Sequence, residues 1–423
     1  MVHRLTYSFF GGRNRVKVLV INGSCLFVNS SANLCHLAYL QGLIDAGIDV
    51  SLLSASPQSY FTDSSMKIPD GVNCHHVQAI SLYERLSLAK RKTARDQVNI
   101  KGARATATGG HATRLQVVFR LLKDGVRGLY GPHGIEKTFY TKSKNFTCDI
   151  DFDYVLSISH PPVSHLVAYK LLKCNRIKAK HWIQIWEDPW YADAYGFSAR
   201  KRIFREERRL LYFADKVCYV SPLTLQNQQR LFPESAKKMF WKPLPTYYKD
   251  DTHTEKGLEK NVYGYFGDYV PAARDLEPFY QAAKNTGVEV RICGHPYGLF
   301  SATEQIHIYP RLPLAELKPV EDETSVLVFL CNRKGGQIPG KIYQYSATNK
   351  TILFILDGTE DEQTVLKEYF GKFSRYVFCQ NTVEDITRAI HRIESGDVGN
   401  IRHTPLDDFE PKKIIESILN AGR

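Results

Sequence analysis

The sequence predicts an α/β protein built from two parallel-sheet βα domains in tandem. Three observations lead there. Apolar runs of strand length alternate with helically spaced segments from Arg15 to Leu53, and again from Asp153 to Leu419. Residues 243–260, rich in Pro, Lys, Asp and Thr, interrupt the alternation as a linker. A length of 423 residues asks for two or more domains. The expected units are 1–242, the linker 243–260 and 261–423, with the last helix packing back on the first domain.

Arg15–Ile21 is a β-branched apolar run and reads as a buried strand of a parallel sheet. Asn22-Gly23-Ser24 turns the chain into a helix over Ser31–Asp45, where Leu34, Leu37, Ala38, Leu40 and Ile44 recur at helical spacing. Gly47 ends it and Asp49–Leu53 is the second strand. No G-x-G-x-x-G follows the first strand, which argues against a dinucleotide cofactor.

Residues 82–146 read as a basic insertion. Between Glu84 and Phe146 there are fourteen Lys or Arg against four Asp or Glu, a net +10 that makes up most of the chain's +12. Within it Leu115–Tyr130 is amphipathic, with Leu115, Val118, Phe119, Leu122, Val126 and Leu129 on one arc and Arg120, Lys123 and Arg127 on the other. Such a helix packs on its own domain or lies on an anionic membrane surface. It lacks the interleaved aromatics on which single-strand binders stack bases, so no nucleic-acid partner is expected.

Patterning resumes with the strand Asp153–Ser159, which ends in His160-Pro161-Pro162 and passes into a helix, Val163–Leu172, carrying a packed His165. The strand His181–Trp186 ends in Glu187-Asp188-Pro189-Trp190. Open α/β sheets bind ligands beyond the carboxyl ends of their strands. His160, Glu187 and Asp188 all fall at that edge and are candidate site residues. A charged helix, Ser198–Phe213, and a strand-like run, Ala214–Ser221, follow.

The second domain opens with Asn261–Asp268, which places Gly267 at a strand end, and continues with a helix from Arg274 to Asn285. Strands follow at Val288–Gly294 and Ser325–Leu330. The latter leads into Gly335-Gly336-Gln337-Ile338-Pro339-Gly340-Lys341-Ile342-Tyr343-Gln344-Tyr345 and the strand Thr351–Ile355. Gly335, Gly336 and Gly340 allow bends and close ligand approach. Pro339 suits a first helical turn, and Lys341, Gln344 and Tyr345 then share one turn near the positive helix end. These parts make a phosphate cradle, or an ordinary loop-helix-strand unit.

No apolar run reaches the roughly 20 residues that span a bilayer. Met1–Arg15 is too polar for a secretory leader, which predicts a cytoplasmic protein, at the inner face of the plasma membrane if the basic segment docks there. Nine cysteines without a C-x-x-C pair, among them Cys218, Cys293, Cys331 and Cys379 in apolar runs, predict free thiols and no metal site.

The run GGQIPGKIYQYSATNKTILFI resembles the nucleotide-sugar-binding segment of glycosyltransferases of the GT-B fold, especially those similar to family 4. That segment reads about G-x-P-x-K-hydrophobic-x-E-Y before a buried strand. SISHPPVSHL followed by WEDPW is similar to bacterial members whose strand ends in D-P-W, and Ala214–Ser221 is similar to the segment closing their first domain. The resemblance covers most of the chain and is weakest over 57–147. It implies the GT-B architecture, two Rossmann-like βα domains facing a cleft. It implies sugar transfer from a nucleoside diphosphate, UDP or GDP, to a sugar or lipid-linked acceptor in polysaccharide or glycolipid assembly, with no metal or other cofactor. Gly267, Arg274, Gly336, Ile338, Pro339, Gly340, Lys341 and Gln344 would hold the donor, and Asp188, His160 and Glu187 would act on the acceptor side. Gln344 stands where the family binds ribose with a glutamate, and Gly336 stands eight positions earlier, where many members are acidic. A nucleotide-sugar epimerase of the same fold and a non-catalytic binding protein are the alternatives.

Overall fold

The computed structural model describes residues 15–59, 62–80, 137–191, 201–247, 260–334 and 336–422. Gly335, the predicted helix Leu115–Tyr130 with Arg120, Lys123 and Arg127, and most of the linker lie outside them.

The first domain is a sheet of β1 (Lys17–Asn22), β2 (Asp49–Ala55), β3 (Asn73–Val77), β4 (Asp151–Ser159), β5 (Lys178–Trp186), β6 (Lys216–Tyr219) and β7 (Met239–Trp241). Its helices are α1 (Ser31–Asp45), α2 (Lys137–Ser143), α3 (Val163–Lys173), α4 (Lys201–Phe213) and α5 (Pro222–Leu231). The strands run in the order β3-β2-β1-β4-β5-β6-β7, all parallel. Helices cover both faces, which is why β1 and β4 read as unbroken apolar runs. Ser30 begins α1 at its predicted position by accepting the Asn33 N–H at 3.1 Å.

The second domain repeats the plan with β8 (Val262–Phe266), β9 (Glu289–Cys293), β10 (Ile306–Tyr309), β11 (Val326–Leu330), β12 (Thr351–Leu356) and β13 (Tyr376–Gln380). Its helices are α6 (Glu277–Thr286), α7 (Leu314–Asp322), α8 (Lys341–Ser346), α9 (Glu360–Gly371), α10 (Val383–Glu394) and α11 (Pro411–Ala421). The order is β10-β9-β8-β11-β12-β13, again parallel. In each sheet the order reverses beside the first strand, and that reversal opens a crevice at the carboxyl ends.

α11 belongs by sequence to the second domain but packs along α1 of the first. The approach is close: a Cβ on Gly42 would lie 2.4 Å from the Pro411 carbonyl oxygen. Ile414, Ile415, Ile418 and Leu419 are buried there, each worth about 1.5–3 kcal/mol of apolar burial. His165 is core: its Nδ1 lies 2.8 Å from Ser157 Oγ, its ring packs 4.1 Å from that of Trp186, and burial pushes the imidazole down to about 3. All nine cysteines are free, with Cys218, Cys293 and Cys331 buried and Cys379 half-buried. Among the described residues, no helix is long and apolar enough to cross a membrane.

Candidate functional site

The carboxyl ends of the two sheets face each other across a cleft of about 250 Å³. The first domain contributes the start of α1 with Glu187 and Asp188 from the loop after β5. The second contributes Gly267, Asp268, Arg274, Arg311 and the loop Gln337–Lys341 with Gln344.

The loop before α8 is fastened to the opposite domain. Gly336 adopts φ +67, a left-handed conformation that glycine takes without strain. Ser221 Oγ donates to the Gly336 carbonyl at 2.5 Å, and a Cβ on Gly336 would sit 2.8 Å from Leu223 Cβ. Gly336 therefore serves contact between the domains and does not line the cleft, in contrast to its expected place against the donor. The next residue, Gln337, donates its side-chain amide to Asp188 Oδ1 across the cleft. Ile338, Pro339 and Gly340 line the cleft itself.

Lys341 begins α8, with Nζ 3.1 Å from Glu321 Oε1 and 5.9 Å from the centre of the Tyr345 ring. Gln344 is buried and lines the cleft, and its amide oxygen has no hydrogen-bond partner among the described residues. Arg274 lies in the loop after β8, short of the helix it was expected to start, and its guanidinium faces the Tyr265 hydroxyl. Gly267 has room for a methyl group, the nearest atom being Arg274 Nη1 at 3.6 Å. Gly294 has none: its Cβ would fall 1.9 Å from the Gly267 carbonyl oxygen. The close approach expected at Gly267 is thus between two backbones, and Gly294 permits it. Arg311 lies 3.7 Å from Asp268 and adds a third cation to this wall.

The first-domain wall is built around carboxyl groups. Glu187 is buried, with Oε1 3.2 Å from His36 Nε2. Behind it, His36 Nδ1 lies 2.9 Å from Asn22 Nδ2. The loop carrying Glu187 and Asp188 is held from below by Glu207 of α4, which accepts the Tyr191 N–H at 2.5 Å. Burial pushes Glu207 up to about 8, against the lowering effect of the Tyr191 and Trp190 amides, so its carboxyl is protonated at neutral pH.

The structure brings together Glu187, Asp188, Gly267, Arg274, Ile338, Pro339, Gly340, Lys341 and Gln344. It leaves His160 out. Pro161 is buried against Gly23, whose Cβ would approach it at 3.0 Å, and His160 turns to solvent with its carbonyl accepting from Ser24 Oγ at 3.2 Å. The sequence reading does not single out Asn22, His36, Arg311 or Glu321. The available signals are a histidine inside the apolar row of α1 and an asparagine ending an apolar strand.

No protein-family model matches the sequence, and no curated protein does. Among solved structures, a glycosyltransferase from Rickettsia africae ESF-5 is similar with a TM-score of 0.52 at 11% identity, over 97% of this chain and 93% of that one. MnaA of Staphylococcus aureus, solved with UDP, has a TM-score of 0.49 at 11% identity, over 96% of this chain and 95% of that one. MurG of Acinetobacter baumannii has a TM-score of 0.38 at 13% identity, over 97% and 99%. The chain has the GT-B architecture, two Rossmann-like βα domains facing a cleft.

Proposed function

We propose that the protein is a glycosyltransferase that moves a sugar from a nucleoside diphosphate to an acceptor hydroxyl. The supporting observation is the division of the cleft. Arg274, Arg311 and Lys341 line its second-domain wall, and Glu187 and Asp188 line the wall opposite. In the reaction the acceptor oxygen bonds to the anomeric carbon as the bond from that carbon to the diphosphate breaks. The nucleoside diphosphate departs with the electron pair, where the three cations offset its developing charge without a metal ion. The hydroxyl proton passes to a carboxylate of the first domain, with Glu187 as the base and Asp188 orienting the acceptor. The Gln344 amide oxygen accepts a hydrogen bond from the donor ribose.

The finer reading follows the sequence resemblance: a relative of family 4, UDP or GDP as carrier, and a sugar or lipid-linked acceptor of polysaccharide or glycolipid assembly. The net +10 between Glu84 and Phe146 supports peripheral contact with an anionic membrane on the cytoplasmic side. The test is a thermal-shift panel of UDP-, GDP-, ADP- and CMP-sugars, followed by product analysis with and without candidate acceptors. A shift with one nucleotide series and acceptor-dependent release of the diphosphate is expected. Turnover without an acceptor would favour an epimerase. No shift with any nucleotide would overturn the reading and leave a partner-binding protein.

A further inference from the structure

We propose that Gln337 is a positioning residue for this reaction: carried on the loop before α8, it reaches across the cleft and holds the Asp188 carboxylate where the acceptor binds. The inference rests on the glycosyl-transfer reading for the role of Asp188, while the contact itself is tested without substrate.

The hydrogen bond runs from Gln337 Nε2 to Asp188 Oδ1, between residues 149 positions apart on opposite walls. The backbone it starts from is fixed on both sides. The Gly336 carbonyl accepts from Ser221 Oγ at 2.5 Å, and the Gln337 carbonyl accepts from Asn332 Nδ2 at 3.1 Å. Gly336 fits against Leu223 with no room for a Cβ. Gln337 is therefore tied to the first domain through one peptide group and to its own domain through the next. Its side chain is buried, at 8% exposure, which keeps water from competing for the amide.

Asp188 has a matching support. The buried Pro189 after it restricts its backbone, and Glu207 accepts the Tyr191 N–H further along the same loop. What remains to be set is the direction of the carboxylate. A carboxylate accepts at two oxygens, so a bond at Oδ1 orients the group without using up its capacity. An amide suits this task because its NH₂ donates and brings no charge, so it orients Asp188 without offsetting its charge. A glutamate in its place would set like charges together. Beyond Gln337, Ile338, Pro339 and Gly340 line the cleft and Lys341 opens α8. One short run thus touches the acceptor-side carboxylate and the donor wall, and keeps the two at a set spacing.

The first test uses melting curves of the full chain. Q337M keeps the length and loses the amide, and Q337E sets like charges together, so both should lower Tm, Q337E by more. D188N should recover most of that loss in the Q337E background, since the new amide can donate to the new carboxylate. Equal losses in the two single variants, or no recovery in the double variant, overturn the contact. Where Q337E does not fold, Q337M and D188N carry this test: combined, they should lower Tm no further than the larger single loss, and an additive loss overturns the contact. The second test uses the donor and acceptor found by the nucleotide panel. Q337M should lower kcat/KM for the acceptor about tenfold, with donor affinity by calorimetry within about twofold of the wild type. In a D188N background Q337M should lower it no further. An unchanged kcat/KM in folded Q337M, a loss confined to donor affinity, or an additive loss overturns the role. A wild type that neither binds nor turns over any nucleotide sugar fails the transfer reading and the role that rests on it, while the melting curves still decide the contact.

Discussion

The two walls of the cleft solve opposite electrostatic problems. The second-domain wall presents Arg274 and Arg311 from loops at strand ends and Lys341 from the start of α8. Its lysine is 22% exposed and shared with Glu321, so an incoming diphosphate competes for it at modest cost. The first-domain wall buries its carboxyl groups, with Glu187 Oε1 3.2 Å from His36 Nε2 and Glu207 accepting the Tyr191 N–H. One wall is suited to exchanging a charged ligand, and the other to holding an acceptor-side carboxylate in one geometry. Both walls draw on several elements; the difference is that one keeps its charged groups at the cleft surface and the other buries its acids between packed elements.

Removing the charge from the buried wall should have the largest effect. E187Q keeps the shape and most hydrogen bonds, so the transfer reading expects a loss of about 10²- to 10⁴-fold in kcat, with donor binding unchanged by calorimetry. A weakened donor with intact kcat would show that the division of labour between the walls is wrong. K341A acts on the other side. Losing a hydrogen bond to a charged group costs about 1.5–3 kcal/mol, so donor affinity should fall about ten- to a hundredfold and the thermal shift should vanish. An unchanged shift would move the donor site away from α8.

The same contrast explains what was legible in the sequence. The fold was, because strands buried on both faces and a helix capped at Ser30 write their pattern into consecutive residues. The α8 part of the cation wall was legible for a related reason: Pro339, Gly340, Lys341 and Gln344 are neighbours in sequence as well as in space, whereas Arg311 stands apart from them and was not singled out. The carboxylate wall was legible only at its tip, Glu187-Asp188. The pairing of Asn22 and His36 spans 14 positions and that of Gln337 and Asp188 spans 149, and no local periodicity reports either. Gly336 was misread because its left-handed backbone suits a ligand loop and a domain contact equally, and only the fold brings Leu223 to within 2.8 Å of its missing Cβ.

Glu207 offers a test of how far the buried wall depends on burial. Its folded value of about 8 lies above the ordinary 4.5. Below about 4.5 both states hold the proton and the contribution is fully present. Between there and about 8 the unfolded chain binds fewer protons than the folded one, so stability falls as pH rises, by at most roughly 1.4 kcal/mol per pH unit. His165 works the other way, since its folded value of about 3 lies below 6.5 and its contribution is lost as pH falls through that interval. Melting curves of E207Q, which stays neutral and still accepts the Tyr191 N–H, should therefore decline less between pH 5 and 8 than those of the wild type, with the acid limb unchanged. Parallel curves for the two proteins would show that Glu207 is not the buried acid of this wall.

The smallest effect is expected where the walls touch. Ser221 Oγ donates to the Gly336 carbonyl and also caps α5 by accepting the Thr224 N–H, the latter at a long 3.5 Å. S221A removes both bonds, a loss of about 1–2 kcal/mol, which in a chain of this size lowers Tm by only a few degrees. The affinity for the donor decides what the clasp does. If it holds the loop of Ile338–Lys341 in its binding shape, part of that energy reappears as a weaker donor, about two- to tenfold by calorimetry. A lower Tm with unchanged donor affinity would instead assign the clasp to domain packing alone. The cation wall would then keep its shape without the first domain, and the two walls would be independent in structure as well as in chemistry.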